Sequence, residues 1–426
     1  MKLLITGATG LVGNKLVKMA LEQGMIIHYL TTHKSKIKKI IGAHGFYWNP
    51  SLQEIDSSCF EGVDVIIHLA GATISRRWTA AYKKIILASR VNSTRLLENG
   101  IKKTKGKHQI KQIIGASAIG IYSNDFNNIV TEETEVSPNS FLERVVIDWE
   151  SASAVFNSMN IKVTTLRIGL VIAPNGGVVA AMKIPILFGL GAAFGKGSQG
   201  QSWIHIKDLV GMILFLVTTK LEGVYNAVAP NPVSQTHFIT ALAKAINRPH
   251  ILPPLPKFII KPMVGEMSSL LLDSHWVSSE KIEGQGFSFK YPEINTAFKE
   301  LFGWYDEKIF KYLTKKFGTL FENEEIFENF LNEYPKFEKL VETLPSILNE
   351  ISSISSQGKS MVDDGPSGFY TSGNYRKFAN NDATDIGYDV LNYLLGKNNV
   401  GQIECVVKTI CDDGKELMVQ LDNLKI

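Results

Sequence analysis

The chain has 426 residues, of which 45% are hydrophobic and 20% are charged, and its formal net charge is +4 at pH 7. This composition is typical of a globular protein with two or three domains and argues against the disordered and fibrous classes. Basic residues form no long run, so we predict no nucleic-acid partner. The three cysteines, Cys59, Cys405 and Cys411, lack metal-ligand spacing and cannot all pair, which predicts no metal site and a reducing, cytoplasmic compartment.

Membrane insertion and secretion are not expected. No charged and apolar leader precedes the first predicted strand, which begins almost at Met1. The most apolar stretch, Leu209 to Val217, is shorter than the roughly 20 residues that cross a bilayer. We therefore predict a soluble protein with no membrane partner.

Residues 3–17 predict a strand, a tight turn and a helix. A short apolar run is followed by three glycines in the spacing G-x-x-G-x-x-G, and apolar residues then return at helical spacing. In a dinucleotide-binding loop these glycines allow the turn, the approach of a pyrophosphate and the close packing of the helix. The pyrophosphate would sit on the free N–H groups of the helix. We predict cofactor contacts from Gly7, Thr9, Gly10, Leu11, Val12 and Gly13, with an ordinary glycine-rich turn as the alternative.

The second predicted strand, Met25 to Leu30, ends in a segment that contains Thr31, Thr32 and Lys34. An acidic residue here would bind the ribose 2′-hydroxyl of NAD, whereas a cation favours the 2′-phosphate of NADP. The segment has no acid and is basic, so we predict NADP rather than NAD, with contacts from these three residues. A solvated basic surface is the alternative.

A third strand, from Val63, runs into the small residues around Leu69, Ala70 and Gly71. Small side chains at a strand's carboxyl end leave room for a ligand in an open α/β sheet, so we predict that these residues contact the cofactor. A helical pattern from Tyr82 to Leu97 follows.

A further strand, Ile110 to Ile114, leads into another group of small and hydroxylated residues that includes Ser117 and Tyr122. Val163 to Val171 predicts one more sheet strand, and Phe188 to Gly197 predicts a glycine-rich loop over the substrate. A flexible surface loop is the alternative for the last segment.

Seven motifs between residues 6 and 233 carry a resemblance: TGATGLVG, HLAGATISRRWT, ASRVNSTRLL, ASAIGIY, LRIGLV, SWIHIKDLV and YNAVAPNPV. Together they resemble the atypical extended short-chain dehydrogenase/reductases of the nucleoside-diphosphate-sugar epimerase family. The likeness extends from Met1 to about Phe302 and includes that family's C-terminal domain of unknown function. It implies an α/β fold with a Rossmann-like doubly wound parallel sheet and a substrate subdomain at about 230–302.

The resemblance also implies site residues. In extended members of the superfamily, a serine or threonine after the fourth strand polarises the substrate oxygen, and a Tyr-x-x-x-Lys pair on the next helix moves the proton. Ser117 matches the serine, but Phe141 and Val145 stand where the tyrosine and lysine would fall. The resembled family shares this departure, which puts standard dehydrogenase chemistry in doubt.

Tyr122 and His205 are the candidate catalytic replacements, because a phenol can move a proton and imidazole titrates near neutral pH. The alternatives are a packed aromatic for Tyr122 and a histidine that caps the turn at Asp208 for His205. Glu143 and Arg144 are further candidates for charge at the site, with side chains that face water as the favoured alternative. The motifs also predict a cofactor contact from Arg90 and substrate contacts from Arg77, Trp78 and Trp203.

The tail after about residue 303 matches no family that we recognise. Apolar residues at helical spacing predict a helical segment over 303–351, and a Ser- and Gly-rich stretch predicts a linker over 352–374. Residues 375–426 predict a small α+β unit, with a helix from Ala383 to Leu395 and strands at Ile403 to Ile410 and Met418 to Leu421.

Two functional hypotheses follow. In the first, the protein is an NADP-dependent oxidoreductase or epimerase-like enzyme that acts on a small polar substrate, with nucleotide sugars included. In the second, it binds NADP without turnover and serves a regulatory role, for which the missing Tyr/Lys pair is the supporting feature. A homodimer and a protein partner for the tail are further hypotheses.

Overall fold

A computed structural model of the protein describes residues 1–104, 108–174, 176–187, 189–250 and 252–302, and two strands at 404–410 and 416–422. The chain divides into two compact units, Met1–Phe302 and Gly303–Ile426. In the second unit, Glu404–Ile410 pairs antiparallel with Glu416–Asp422, at the positions where the sequence predicts two strands. The predicted segment 303–351, the predicted linker 352–374 and the predicted helix of the tail lie outside the described residues.

A mostly parallel sheet forms the centre of the first unit. Its strands are β1 (Lys2–Thr6), β2 (Ile26–Thr31), β3 (Ala43–Asn49), β4 (Glu54–Ile55), β5 (Val65–His68), β6 (Gln112–Ala118), β8 (Lys162–Ile168) and β12 (Gly223–Ala227). The order across the sheet is β12-β8-β6-β5-β1-β2-β3-β4. Every neighbouring pair is parallel except β3 and β4. This confirms the predicted α/β class and doubly wound topology.

Strand order changes direction between β1 and β5. From β1 the chain builds the sheet outward through β2 and β3, and it then returns to the other side of β1 for β5, β6, β8 and β12. In open α/β sheets a ligand binds outside the carboxyl ends of the strands at such a switch point. The turn after β1 therefore lies at the place where this topology forms a crevice.

Short strand pairs flank the main sheet: β7 (Ile129–Val130) with β14 (Trp276–Val277), β9 (Leu170–Ile172) with β11 (Trp203–His205), and β10 (Gly200–Gln201) with β13 (Val233–Ser234). The helices are α1 (Leu11–Glu22), α2 (Ala80–Lys103), α3 (Phe141–Ser153), α4 (Gly177–Leu187), α5 (Ile206–Thr219), α6 (Gln235–Ala245), α7 (Lys257–Val264), α8 (Ser269–Leu272), α9 (Glu280–Gly284) and α10 (Ile294–Phe302).

The sheet buries both of its faces, which explains why its central strands are continuously apolar. Leu3 and Ile5 of β1 belong to a core cluster that includes α1 and α5, whereas Leu4 belongs to a second cluster that includes α2. Successive side chains of a strand point to opposite faces, so this alternation places helices on both sides.

One predicted strand and one helical stretch are interrupted by glycines. The strand predicted over Val163 to Val171 divides into β8 and β9 at Gly169, where a Cβ would overlap the carbonyl oxygen of Ser202. A helical stretch from Phe258 to Leu272 divides into α7 and α8 near Gly265, whose φ is +64°. The close approach of Ser202 ends the strand at Gly169, and the positive φ of Gly265 interrupts the helical stretch.

Candidate functional site

The turn after β1 needs glycine at two positions because of the protein's own backbone. Gly7 has a φ of +71°, and a Cβ there would lie 3.1 Å from the carbonyl carbon of Leu69. A Cβ at Gly13 would clash with the carbonyl oxygen of Gly7, so α1 begins directly against the turn. Gly10 is exposed and has an ordinary φ of −83°, although a Cβ there would lie 3.2 Å from the carbonyl oxygen of Gly7. The outer side of Gly10 is therefore open to a ligand.

The first turn of α1 leaves its backbone donors available. Gly10 is the N-cap residue, no side chain caps this helix, and its first turn has no acidic residue. The first N–H groups of an α-helix lack intrahelical acceptors and carry the positive end of the helix dipole. The N–H groups near Leu11, Val12 and Gly13 thus suit a pyrophosphate, and Thr9 beside them is exposed. The loop fits the dinucleotide that the sequence predicts.

A buried polar network holds β5 beside this turn. The Thr6 hydroxyl accepts from the backbone N–H groups of Leu69 at 3.1 Å and Ala70 at 3.0 Å, and lies 2.7 Å from Nδ1 of His68. Nε2 of His68 is 3.1 Å from the Ser93 hydroxyl on α2. Burial lowers the pKa of His68 to about 4, so the ring is neutral at pH 7. The network fixes the backbone of Leu69 and Ala70 against the glycine turn.

The glycine turn, the start of α1 and residues 69–72 are called the cofactor strip below. Arg90 connects this cofactor strip to a neighbouring cavity. Its Nη1 donates to the carbonyl oxygens of Ala72 at 3.2 Å and Ile86 at 3.0 Å, and the guanidinium lies 4.9 Å from the ring centroid of Trp149. A Cβ at Gly71 would be 3.3 Å from the guanidinium carbon. Burial lowers the pKa of Arg90 to about 10, which still leaves a cation at pH 7. Among the described residues no carboxylate pairs with it.

The end of β2 is basic and partly exposed, which suits both the predicted 2′-phosphate contact and the alternative of a solvated surface. The Thr31 side chain is buried, and its hydroxyl accepts from the backbone N–H of His33 at 3.3 Å. Thr32 and Lys34 are exposed, and Nζ of Lys34 lies 5.2 Å from the ring centroid of Tyr47. The positive charge at this strand end is therefore on the surface, where a phosphate can reach it.

A cavity of about 170 Å³ lies among the carboxyl ends of β6 and β8, the first half of α3 and the segment around α8. Much of its wall is apolar, and Val145 and Trp149 of α3 are part of it. Its charged and titratable lining residues are Arg90, Tyr122, Glu143, Asp273 and His275. The predicted substrate loop, residues 188–197, contributes no lining residue among those described and packs instead against residues 235–236 and 255.

Ser117 and Tyr122 belong to one internal hydrogen-bonded network. The Ser117 hydroxyl donates to Glu150 Oε1 at 2.5 Å, and Arg167 donates to both carboxylate oxygens of Glu150 at 3.0 Å. Nη1 of Arg167 donates to the Tyr122 hydroxyl at 2.9 Å, and that hydroxyl donates to Asn226 Oδ1 at 2.7 Å. Burial raises the pKa of Tyr122, and its bonds to Arg167 oppose that shift. Both predicted catalytic hydroxyls are thus engaged within the protein.

The two residues differ in their relation to the cavity. Ala118, one position beyond Ser117, lines the cavity, so a methyl group stands where the sequence predicted a hydroxyl. Tyr122 contributes to the wall, but its hydroxyl is directed at Asn226 and Arg167. This arrangement agrees with the alternative of a packed aromatic for Tyr122. The catalytic roles of both residues stay predictions.

His205 lies outside the cavity and performs a structural task. Its Nδ1 accepts from the backbone N–H of Lys207 at 3.2 Å and so caps α5, and its Nε2 lies 2.8 Å from Glu300 Oε2. The ring packs on Tyr291 with centroids 4.1 Å apart. Asp208 accepts from the backbone N–H of Tyr291 at 2.9 Å, so the start of α5 holds the C-terminal segment in place. The structure favours the capping alternative.

The predicted substrate residues are not at the cavity wall. Trp78 is buried against Phe141, with ring centroids 5.4 Å apart, and its Nε1 donates to the carbonyl oxygen of Ile74. Trp203 is fully buried and donates to the carbonyl oxygen of Asn231 at 3.1 Å. Arg77 is exposed on the loop before α2. Both tryptophans are core residues in this structure, and their substrate contacts stay predictions.

The sequence did not predict Asp273 and His275 as cavity residues, and for Glu143 it favoured the wrong one of two alternatives. Glu143 was expected to face water, but it is buried in a capping box with Ser140 at the start of α3. The S-x-x-E spacing could have revealed this box. Asp273 and His275 come from the segment after α8, about 130 residues further along the chain. No local pattern marks them, because only the folded chain brings them to α3.

Comparison with known proteins gives the family. The model of the NAD dependent epimerase/dehydratase family matches residues 3–228, and that of a domain of unknown function, DUF1731, matches residues 255–301. An epimerase family protein of Staphylococcus aureus is 36% identical over 301 residues, which is 70% of this chain and 98% of the relative, and one from Staphylococcus saprophyticus is 35% identical over the same coverage. The chain belongs to the NAD dependent epimerase/dehydratase family.

Solved structures support the same fold. A nucleoside-diphosphate sugar epimerase from Corynebacterium glutamicum is 26% identical, with a TM-score of 0.57 over 81% of this chain and 68% of that one. The human epimerase family protein SDR39U1 (isoform 2), crystallised with NADPH, is 24% identical, with a TM-score of 0.63 over 71% of this chain and 99% of that one. These likenesses identify a Rossmann-type NAD(P)-binding fold.

Two features are absent from the described ranges. No helix there is long and apolar enough to span a membrane, and no cluster of three or more His, Cys, Asp or Glu residues there could hold a metal ion. The cytoplasmic location, the homodimer and the protein partner of the tail stay predictions.

Proposed function

We propose that this member of the epimerase/dehydratase family binds NADP and acts as an oxidoreductase or epimerase on a small polar substrate, with nucleotide sugars as one class. One contact supports this most directly. Arg90 touches the Gly71–Ala72 segment of the cofactor strip and also lines the cavity. A dinucleotide whose pyrophosphate sits on the glycine turn would therefore have its other end directed at the cavity.

Each part of the strip has a task in this proposal. The N–H groups at the start of α1 hold the pyrophosphate, and the buried Thr6–His68 network keeps the β5 backbone at a fixed distance from it. Arg90 presents a positive charge at the cavity wall, where it attracts an oxygen of substrate or cofactor. When bound, the nicotinamide ring supplies or accepts a hydride.

The preference for NADP rests on charge. The β2 end has no acid that would bind a 2′-hydroxyl, and Lys34 is exposed there. The human relative was crystallised with NADPH, which is consistent with the same preference.

A fluorescence titration tests both statements. Wild-type protein should bind NADPH more tightly than NADH, and Lys34→Ala should weaken NADPH about tenfold, or about 1.4 kcal/mol, while NADH is unaffected. Lys38→Ala is the matched control, because Lys38 is an equally exposed lysine four residues away. Absence of binding for both nucleotides would overturn the cofactor proposal, and equal losses in the two variants would overturn the role of Lys34.

A second candidate is a nucleotide-binding regulatory protein without turnover. The observation that favours it is that the hydroxyls of Ser117 and Tyr122 are bound to other side chains of the protein. In addition, Phe141 and Val145 stand at the positions of the usual Tyr/Lys pair. A screen for NADPH oxidation and NADP reduction across sugar nucleotides, small carbonyl compounds and small alcohols separates the two candidates. Turnover that depends on the cavity residues would exclude the hypothesis of a protein without enzymatic activity.

A further inference from the structure

Asp273 is unlike the other acid of the cavity, because its carboxylate has no hydrogen-bond donor among the described residues. It ends α8, where its backbone N–H donates to the carbonyl oxygen of Ser269 at 2.9 Å. The side chain is half-buried and lines the cavity. Because no donor of the described chain engages this half-buried carboxylate, its oxygens are available to a ligand in the cavity.

Glu143 is held in the opposite way. Its Oε2 accepts from the backbone N–H groups of Asn139 at 2.5 Å and Ser140 at 2.9 Å. These bonds belong to the capping box of α3 and stabilise a carboxylate in a fixed place. Glu143 is therefore held in a fixed place in the wall of the cavity, with its Oε2 engaged by two backbone donors.

His275 supplies an unpaired nitrogen in the same wall. Its backbone is fixed, because its N–H donates to Gly200 at 3.1 Å and its carbonyl oxygen accepts from Ser202 Oγ at 2.8 Å. The Nδ1 atom is buried and has no hydrogen-bond partner in the described part of the chain. Burial lowers the pKa of His275 to about 4, so the ring is neutral at pH 7. A neutral ring next to two acids adds a polar atom without neutralising them.

The surroundings of Asp273 favour its protonated form. Burial is the main cause, the charge of Glu143 adds to it and the charge of Lys257 opposes it, and together they raise the pKa of Asp273 to about 6. The charged groups that act on Asp273 are thus Glu143 from α3 and Lys257 from α7, and His275 lines the same cavity. A group that changes its protonation near neutral pH meets the requirement for acid–base catalysis.

We propose that Asp273, from the C-terminal domain of unknown function, is the proton-transferring residue of the cavity. This inference rests on the proposed function. Asp273 would take the proton-transfer role that the Tyr/Lys pair has in other members of the superfamily. In one direction the O–H bond of Asp273 breaks, the proton forms an O–H bond on the substrate oxygen, and the carboxylate keeps the electron pair. In the other direction a substrate hydroxyl gives its proton to the carboxylate. Nδ1 of His275 holds the substrate through a hydrogen bond.

The first test needs no substrate. Carbon-13 labelling of aspartate carboxyl groups gives an NMR titration in which the Asp273 signal is identified by its loss in Asp273→Asn. We expect its midpoint near pH 6, and we expect Glu143→Gln, which keeps a capping side chain but removes the charge, to move that midpoint to lower pH. A midpoint near that of a free aspartate, about 3.9, would overturn the proposal.

The second test measures NADPH oxidation with a substrate found in the screen. Asp273→Asn should lower kcat/KM about 100-fold or more, since general acid catalysis typically contributes that much. In wild type, kcat/KM should fall as pH rises through about 6, because the donating form is the protonated carboxyl. This limb should disappear in Asp273→Asn and shift to lower pH in Glu143→Gln. Asp148→Asn, an exposed aspartate of α3, is the control and should change nothing.

NADPH binding is measured on every variant, so two failures can be told apart. Absence of NADPH binding in the wild type overturns the proposed function. If Asp273→Asn binds NADPH, retains turnover within threefold and keeps the wild-type pH profile, Asp273 is not the proton-transferring residue, and the proposed function stands. Asp273→Glu supplies the conservative comparison and should recover part of the activity that Asp273→Asn loses.

Discussion

The carboxyl ends of β1 and β6 belong to one sheet but use their polar groups in opposite ways. At β1, glycines leave the N–H groups of α1 without side-chain partners. At β6, the Ser117 hydroxyl is bound to Glu150, which is bound in turn to Arg167. Unpaired donors at one end are available for a ligand, whereas the paired groups at the other end are available only if the protein gives up their bonds.

This difference teaches which residues of a recognised motif transfer their role. A role carried by backbone, as in the glycine turn, follows from spacing and from a few φ values. A role carried by a side chain depends on what that side chain contacts, and Ser117 contacts Glu150 rather than the cavity. Three substitutions test this contrast.

The largest effect is expected from Arg167→Met in the closed network. Both Arg167 and Glu150 are largely buried, and removal of one partner leaves the other as an uncompensated charge. The free energy of unfolding should fall by about 3–5 kcal/mol in a urea denaturation experiment. The double variant Arg167→Met with Glu150→Gln removes both charges and should recover part of the loss. A decrease below about 1 kcal/mol would show that solvent screens this pair as it does a surface pair.

Gly10→Val tests the open turn and should have the second largest effect. The β-branched side chain at this exposed position of the turn should crowd a bound pyrophosphate, so NADPH affinity should fall at least 100-fold, or about 2.8 kcal/mol. The φ of −83° and ψ of 176° at Gly10 are accessible to valine, but its Cβ would lie 3.2 Å from the carbonyl oxygen of Gly7, so the stability loss should be about 1–3 kcal/mol. Thermal unfolding with and without NADPH separates the two effects, because only ligand binding shifts the transition by mass action.

Gly284→Val is the matched control for this experiment. Gly284 ends α9, and a Cβ there would meet nothing within 4 Å. This variant should show the wild-type shift in transition temperature when NADPH is added. An equal shift in folded Gly10→Val would mean that the pyrophosphate does not bind at this turn.

Ser117→Ala should have the smallest effect. The variant loses one hydrogen bond to Glu150, which keeps both of its bonds to Arg167, so unfolding should become easier by about 1 kcal/mol. Turnover should stay within about threefold of wild type, because Ala118 rather than Ser117 lines the cavity. A loss of 100-fold with unchanged stability would restore the serine to the catalytic role that the resemblance implied.

Much of the first unit could be predicted from the sequence. The first strand, the glycine turn and helix, and the basic end of β2 come from short-range patterns, whereas the doubly wound class follows from the family resemblance. Local periodicity and glycine spacing are sufficient there, because the strand, the turn and the helix are contiguous in the chain. The sequence failed where a distant segment intervened, as at Gly169, where Ser202 breaks the predicted strand.

Local sequence is sufficient for the glycine turn, where glycines stand at positions at which a side chain would collide with the protein's own backbone. The side chains that line the cavity depend instead on how distant segments pack. That packing paired Ser117 with Glu150, placed His205 at the cap of α5, and brought Asp273 to Glu143. The physical reason is that burial and pairing arise from contacts between residues far apart in the chain, and those contacts decide whether a polar group remains free for chemistry.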